Sequence, residues 1–193
     1  MQTIFLPPKY FALVDDEDFE AINAIGSWTY SGGYAAHWYT DASGRRHRQW
    51  LHRTVMERML GHAIPAGYEV DHLQGSLGKK ARLDCRRNAI RLASKAQNQA
   101  NKGPQINTKV SKGINLRANR FEVRIRHYGQ RLYLGRYNTL LTALTVYGFA
   151  HRHIWGEFTT EALVPEPTPE LQAYVLSRLM GQGIEIDLSA QRQ

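Results

Sequence analysis

The chain is poor in cysteine, with Cys85 as the one thiol among 193 residues. That excludes an internal disulfide and a cysteine-rich zinc site. It also lacks any apolar run long enough to cross a bilayer. Its start, MQTIFLPPKYF, has no basic opening followed by a long apolar core, so it does not read as a secretory signal. These absences lead to the expectation of a cytoplasmic protein of a reducing compartment, with no membrane partner. Disorder is disfavoured too: 42% of residues are hydrophobic, and there are 10 Tyr, 6 Phe and 4 Trp.

Acidic residues are scarce where basic ones are dense. Residues 41–136 hold 6 Asp+Glu against 21 Lys+Arg, whereas the rest of the chain holds 11 against 4. A basic middle between acidic ends is the footprint of contact with a polyanion. The plainer reading is a solvated arginine surface. Arginine here recurs at strand spacing, which favours a built surface.

The N-terminal part reads as a short strand in FALV, an acidic turn, and a helix from about Asp16 to Ile25. The acidic residues suit the positive end of that helix. Turn signals at Ser31-Gly32-Gly33 and Ser43-Gly44 predict antiparallel strands across 28–50. TVMERMLG then looks helical, with Gly61 as its stop.

Residues 68–101 read as strand, basic loop, strand and helix. YEVDH is the first strand, LQGSLGKKARLDCRRN the loop, and AIRLAS the second strand. The segment SKAQNQAN opens a helix capped by Ser94. Asp71 and His72 close the first strand, and Asn98 falls about one turn into the helix.

LHR, VDH and LDCRRNAIRLASKAQNQANKG, taken in this order, resemble the HNH endonucleases of homing and phage-borne type. The resemblance reaches back to ALVDDEDFE. It implies a ββα-metal fold and hydrolysis of DNA phosphodiesters. By resemblance His72 is the general base, a role suited to an imidazole of near-neutral pKa. Asp71 and Asn98 would then supply oxygens to Mg²⁺, or to another divalent cation such as Mn²⁺, with no zinc site. The chain departs from the family at Ala89, where the middle Asn of the motif is usual. Asn88 is the neighbouring candidate for that catalytic role, although strand alternation would turn it to the face of Ile90 and Leu92.

Residues 112–158 carry a second pattern. Phe121, Val123 and Ile125 alternate with Arg124 and Arg126, and Leu132 and Leu134 alternate with Arg131 and Tyr133. Leu141, Leu144, Tyr147 and Ile154 follow at roughly helical spacing. Trp155 and Phe158 read as core, His151 and His153 as surface. This stretch resembles the AP2/ERF-type DNA-binding domain, three antiparallel strands and a helix. The resemblance implies a sheet face that reads duplex DNA through Arg117, Arg120, Arg124, Arg126 and Arg131, with Tyr133 among them. Lys102 and Lys112 would track the backbone from the linker.

The expected fold class is α+β: an HNH nuclease module over 1–101, a basic linker over 102–112, an AP2-like domain over 113–158, and a proline-rich segment with a C-terminal helix over 159–193. On that helix Leu171, Val175 and Leu179 form an apolar stripe expected to dock on its own chain. The expected function is metal-dependent cleavage of double-stranded DNA at chosen sites. The alternative is a DNA-binding protein that has lost cleavage and keeps the HNH scaffold as a clamp.

Overall fold

The computed structural model describes residues 1–74, 78–102, 110–159 and 164–186. Most of the expected linker, the middle of the proline-rich segment and the extreme C-terminus lie outside these residues. The protein is mixed α+β with small antiparallel sheets. It divides into two compact units, Met1–Asn101 and Lys102–Gln193. Among the described residues no helix is long and apolar enough to cross a membrane.

The first unit opens with a hairpin, β1 (Gln2–Leu6) and β2 (Tyr10–Val14). The acidic first turn of α1 (Asp16–Ile25) follows. A three-stranded meander comes next: β3 (Trp28–Ser31), β4 (Tyr34–Thr40) and β5 (Arg46–Trp50). Helix α2 (Leu51–Leu60) ends at Gly61, whose φ of 71° is the left-handed cap that glycine adopts without strain. Strands β6 (Tyr68–His72) and β7 (Ile90–Ser94) pair antiparallel, and α3 (Lys95–Asn101) closes the unit.

Leu6, Val14, Ile22, Leu51, Val55 and Cys85 are fully buried in one shared core. Cys85 also donates its backbone N–H to the Leu13 carbonyl at 2.9 Å, and burial pushes its thiol pKa up. It acts as a small apolar residue and not as a nucleophile.

The second unit is a sheet in the order β10-β9-β8, formed by β8 (Ile114–Arg117), β9 (Arg120–His127) and β10 (Gln130–Tyr137). Helix α4 (Leu140–Trp155) packs on the sheet, its start capped by the Thr139 hydroxyl, which accepts from the Thr142 N–H. Val123, Ile125, Leu132 and Leu134 face this helix, buried as their alternation predicts.

The helix itself departs from expectation. Its buried side is Ala143, Val146, Phe149, Ala150 and Trp155, while Leu141 is 58% exposed. Ala143 and Ala150 let the helix lie close to the sheet between the larger Val146, Phe149 and Trp155, and Leu141 is turned away from that face. His151, expected on the surface, is buried against Tyr147. Gly113 is required by close approach, since a Cβ there would stand 2.2 Å from the Tyr147 ring and 2.4 Å from the Arg124 carbonyl.

Helix α5 (Pro169–Met180) packs on α4 and β10, with Val175 and Leu179 fully buried. Just beyond it, the Gln182 side-chain amide accepts from the Tyr133 N–H at 2.9 Å and donates to the Tyr133 carbonyl at 3.1 Å. Those hydrogen bonds sit at the outer edge of β10, beside its bulge between Tyr133 and Gly135.

Candidate functional site

The β6–β7–α3 segment owes its geometry to local signals. At the start of α3 the Ser94 hydroxyl accepts from the Gln97 N–H at 3.3 Å, and Gln97 Oε1 accepts from the Ser94 N–H at 2.7 Å. This reciprocal box fixes where the helix begins. Asn98 and Asn101, three apart, then share one helix face. Glu69 and Asp71, two apart, share one face of β6.

The two faces meet in order. Asn98 donates to Glu69 Oε2 at 2.5 Å. Asn101 donates to both Asp71 carboxylate oxygens, at 3.1 and 3.0 Å, and to the His72 carbonyl at 3.0 Å. The structure therefore brings Asn101 to Asp71, not Asn98 as the sequence suggested. One turn into the helix reaches only Glu69, and a second turn is needed to reach the strand end. Arg91, opposite Asp71 in the strand register, donates to Oδ2 through Nε and Nη2, both at 3.1 Å.

His72 has different neighbours from Asp71, as strand alternation requires. Its ring lies 5.1 Å from that of His52 on α2 and 6.0 Å from that of Tyr34 on β4. His72 is 5% exposed and His52 9%. His72 Nε2 and His52 Nδ1 are buried with no hydrogen-bond partner among the described residues. Burial lowers the His72 pKa to about 4, with the Arg82 charge lowering it further and the Asp84 charge opposing. Burial, with the neighbouring His72, lowers that of His52 to about 3. Both rings are neutral near pH 7, and a neutral imidazole has a lone pair to offer. His52 stands in the LHR triplet, where the sequence alone gives its histidine no role.

A cavity of about 400 Å³ lies beside the strand end, lined by Leu73, Gln74, Asp84, Arg86, Asn88 and Ala89 among others. Asn88 is not on a strand. Residues Arg87–Ala89 form a 3₁₀ turn, and β7 begins only at Ile90. Asn88 is exposed, so the expected burial beside Ile90 does not occur.

Arg87 anchors this turn to α1. Its N–H donates to Asp15 Oδ2 at 2.8 Å, and its guanidinium meets Asp18 at 2.8 and 3.0 Å. Asp18 is fully buried and also accepts from Arg58 at 2.8 Å. Burial alone would raise the Asp18 pKa, but the two guanidinium partners outweigh it and hold the carboxyl below its ordinary value. In the sequence the acidic first turn of α1 suggests capping and nothing more. The deeper role of Asp18 has no signal short of tertiary contact.

A hard divalent cation accepts a partial shell of a few protein oxygens completed by water. Asp71 and Asn101 offer a carboxylate and an amide, donor types such an ion accepts. Here, however, the amide turns its N–H to the carboxylate and Arg91 donates to Oδ2, so an ion would have to displace these contacts. Among the described residues no cluster of three or more His, Cys, Asp or Glu is placed to hold a metal.

In the second unit the sheet face away from α4 carries the expected arginines. Arg117, Arg120, Arg126 and Arg131 are exposed, and Arg124 and Tyr133 are half-buried. Between them lies Glu122, 2% exposed, which strand alternation alone does not single out. Its carboxylate accepts from Arg124 Nε at 2.8 Å and from Arg136 at 3.1 and 3.2 Å. Burial opposes its ionisation, and the arginines outweigh that to keep its pKa below the ordinary value. The guanidinium groups of Arg124 and Arg178 lie 5.8 and 5.3 Å from the centre of the Tyr133 ring. Lys102 is exposed, whereas Lys112 is half-buried and donates to the Lys102 carbonyl at 2.6 Å.

Comparison with protein-family models, with curated proteins and with solved structures finds no match to this chain.

Proposed function

We propose that the chain is a metal-dependent endonuclease of the HNH type acting on double-stranded DNA. The observation that carries this reading is the end of β6. There a neutral, buried His72 follows Asp71, and Asp71 is hydrogen-bonded to Asn101 from the helix that succeeds the strand pair. Two strands and a helix with Asp71 and His72 at the strand end support the resemblance, although it implied Asn98 where Asn101 stands.

In this reading His72 takes the proton from the attacking water. Asp84 lines the adjoining cavity and its charge raises the proton affinity of His72. With Arg91 and the Asn101 N–H displaced from the carboxylate, Asp71 and Asn101 would hold Mg²⁺ or Mn²⁺, which would neutralise the phosphate and stabilise the leaving 3′ oxygen. Asn88 takes the place of the middle Asn from the cavity wall. The second unit, read as an AP2-like sheet, binds the duplex through Arg117, Arg120, Arg124, Arg126 and Arg131. Phosphate contacts give affinity and register, and a few base contacts choose the site.

The second reading is a DNA-binding protein without cleavage. Ala89 in the motif position and the 5% exposure of His72 favour it. Plasmid nicking with Mg²⁺ and with EDTA, beside His72→Ala, decides between them. Metal-dependent nicking that disappears in the variant supports the nuclease. Duplex binding with no nicking over a long incubation sinks it.

A further inference from the structure

One face of the β4–β5 hairpin carries Trp38, Arg46, Arg48 and Trp50. The strand register sets Trp38 opposite Arg48, Ala36 opposite Trp50 and Thr40 opposite Arg46. The Arg46 guanidinium carbon lies 4.6 Å from the centre of the Trp38 ring. That of Arg48 lies 5.3 Å from Trp38 and 4.0 Å from Trp50. Cations and indoles thus alternate along the hairpin. The series continues through Trp50 to Tyr34, edge-on at 5.6 Å, and from Tyr34 to His72 at 6.0 Å. Arg82 lies over the same Tyr34 ring at 5.5 Å.

Arg46 and Arg48 are exposed and make no ion pair or side-chain hydrogen bond among the described residues. Two exposed cations without a carboxylate partner leave their donors available. Stacking on indole holds each guanidinium plane while its N–H edge stays open to bind an oxyanion at two points. The hairpin tip is fixed as well, because Asp41 Oδ1 accepts from the N–H groups of Ser43 and Arg45 at 2.9 and 3.0 Å.

We propose that this arginine–tryptophan ladder is a backbone track for duplex DNA, gripping successive phosphates of one strand on the way to His72. Guanidinium groups already lie over the indole rings, so base stacking on open rings is not the mode offered. The direction of the track rests on the nuclease reading. The binding surface itself does not.

The test uses the full chain in EDTA, so that no strand is cut, with a labelled duplex titrated across a salt series. Arg46→Ala with Arg48→Ala should weaken binding about 10-fold or more at moderate salt. It should also flatten the dependence of log K on log salt by about two, near 0.9 for each phosphate no longer neutralised. Arg46→Lys with Arg48→Lys keeps the charge without the planar stack, and should fall between. Unchanged affinity and slope in the alanine pair, with an unchanged melting temperature, overturn the track. Weakening confined to single-stranded DNA overturns it as well. If the slope flattens but wild-type protein with Mg²⁺ cuts nothing, the track stands and the nuclease reading falls.

Discussion

Leu73 donates its backbone N–H to the carbonyl oxygen of Ala89 at 3.0 Å. The residue after His72 is thereby tied to the 3₁₀ turn by main chain alone, at the position where an Asn side chain was expected. Ala89→Asn should therefore bring no gain in nicking rate. Asn88→Ala should slow nicking about 10-fold or more and leave duplex affinity unchanged, since it changes placement at the site and not binding. Faster nicking by Ala89→Asn would show that the main-chain tie is not enough.

The turn is held in its place by Asp18. Asp18→Ala removes charged hydrogen bonds to Arg58 and Arg87, each partner being about one-third exposed and able to rehydrate. A destabilisation of about 3 kcal/mol is expected, or roughly 10–20 °C in Tm for a domain of this size. Thermal melting by circular dichroism reads it. An unchanged Tm would mean that these pairs contribute nothing.

Asn101 and Asn98 can be separated by metal titration. Asn101→Ala should raise the Mg²⁺ needed for half-maximal nicking by about 10–100-fold. Asn98→Ala, which gives up only its hydrogen bond to Glu69, should shift it much less. The reverse order would return the metal-ligand role to Asn98.

Glu122 sets the aim of Arg124 and Arg136. Glu122→Gln removes a negative charge from the sheet face and frees both guanidinium groups. Binding to arbitrary duplex at low salt should tighten, while the ratio of specific to non-specific affinity should fall. Competition binding with an excess of unrelated duplex measures both. A preserved ratio would show that these arginines need no such guide.

The pH dependence of stability follows from three buried imidazoles. His52 is lowered to about 3, and His72 and His151 to about 4, in each case chiefly by burial. The unfolded chain binds protons at these sites from about pH 6.5 downward, and the folded chain does so only near 3–4. Stability is therefore full above about pH 6.5 and declines as pH falls from there towards 4. Each group costs about 2 kcal/mol by pH 5. Tm should drop between pH 7.5 and 5, and His151→Phe should reduce the drop. A flat profile would place these rings in contact with water.

Much of this arrangement was legible from period and punctuation. Strand β6 through His72, the Ser94 cap and the inward Leu132 and Leu134 all follow from local chemistry. So does the apolar stripe of α5. What was not legible depends on distant partners. The helix start was legible at Ser94, but whether Asn98 or Asn101 meets Asp71 depends on how α3 is set against β6, which local sequence does not give. The strand read as beginning at Ala89 begins at Ile90, because Arg87 is drawn to Asp15 and Asp18 some seventy positions away in sequence. Glu122 looked like one more alternating polar residue, and only its burial beneath two arginines gives it a role. In α4 the stripe expected through Leu141, Leu144, Tyr147 and Ile154 gives way to one through Ala143, Val146, Phe149, Ala150 and Trp155, because the sheet decides which face of the helix is covered.

The amide of Gln182 meets the edge of β10 as a peptide group would, with one acceptor and one donor on the two main-chain groups of Tyr133. A side chain thus stands in for a fourth strand at the point where the bulge already breaks the ladder. An open strand edge invites pairing with another copy of the same chain, and a basic, aromatic-rich sheet on a polyanion would bring copies close together. With these two groups occupied and α5 packed alongside, self-assembly by strand addition at β10 must first displace the protein's own C-terminal helix. If the sheet binds duplex DNA as proposed, crowding there then need not become aggregation.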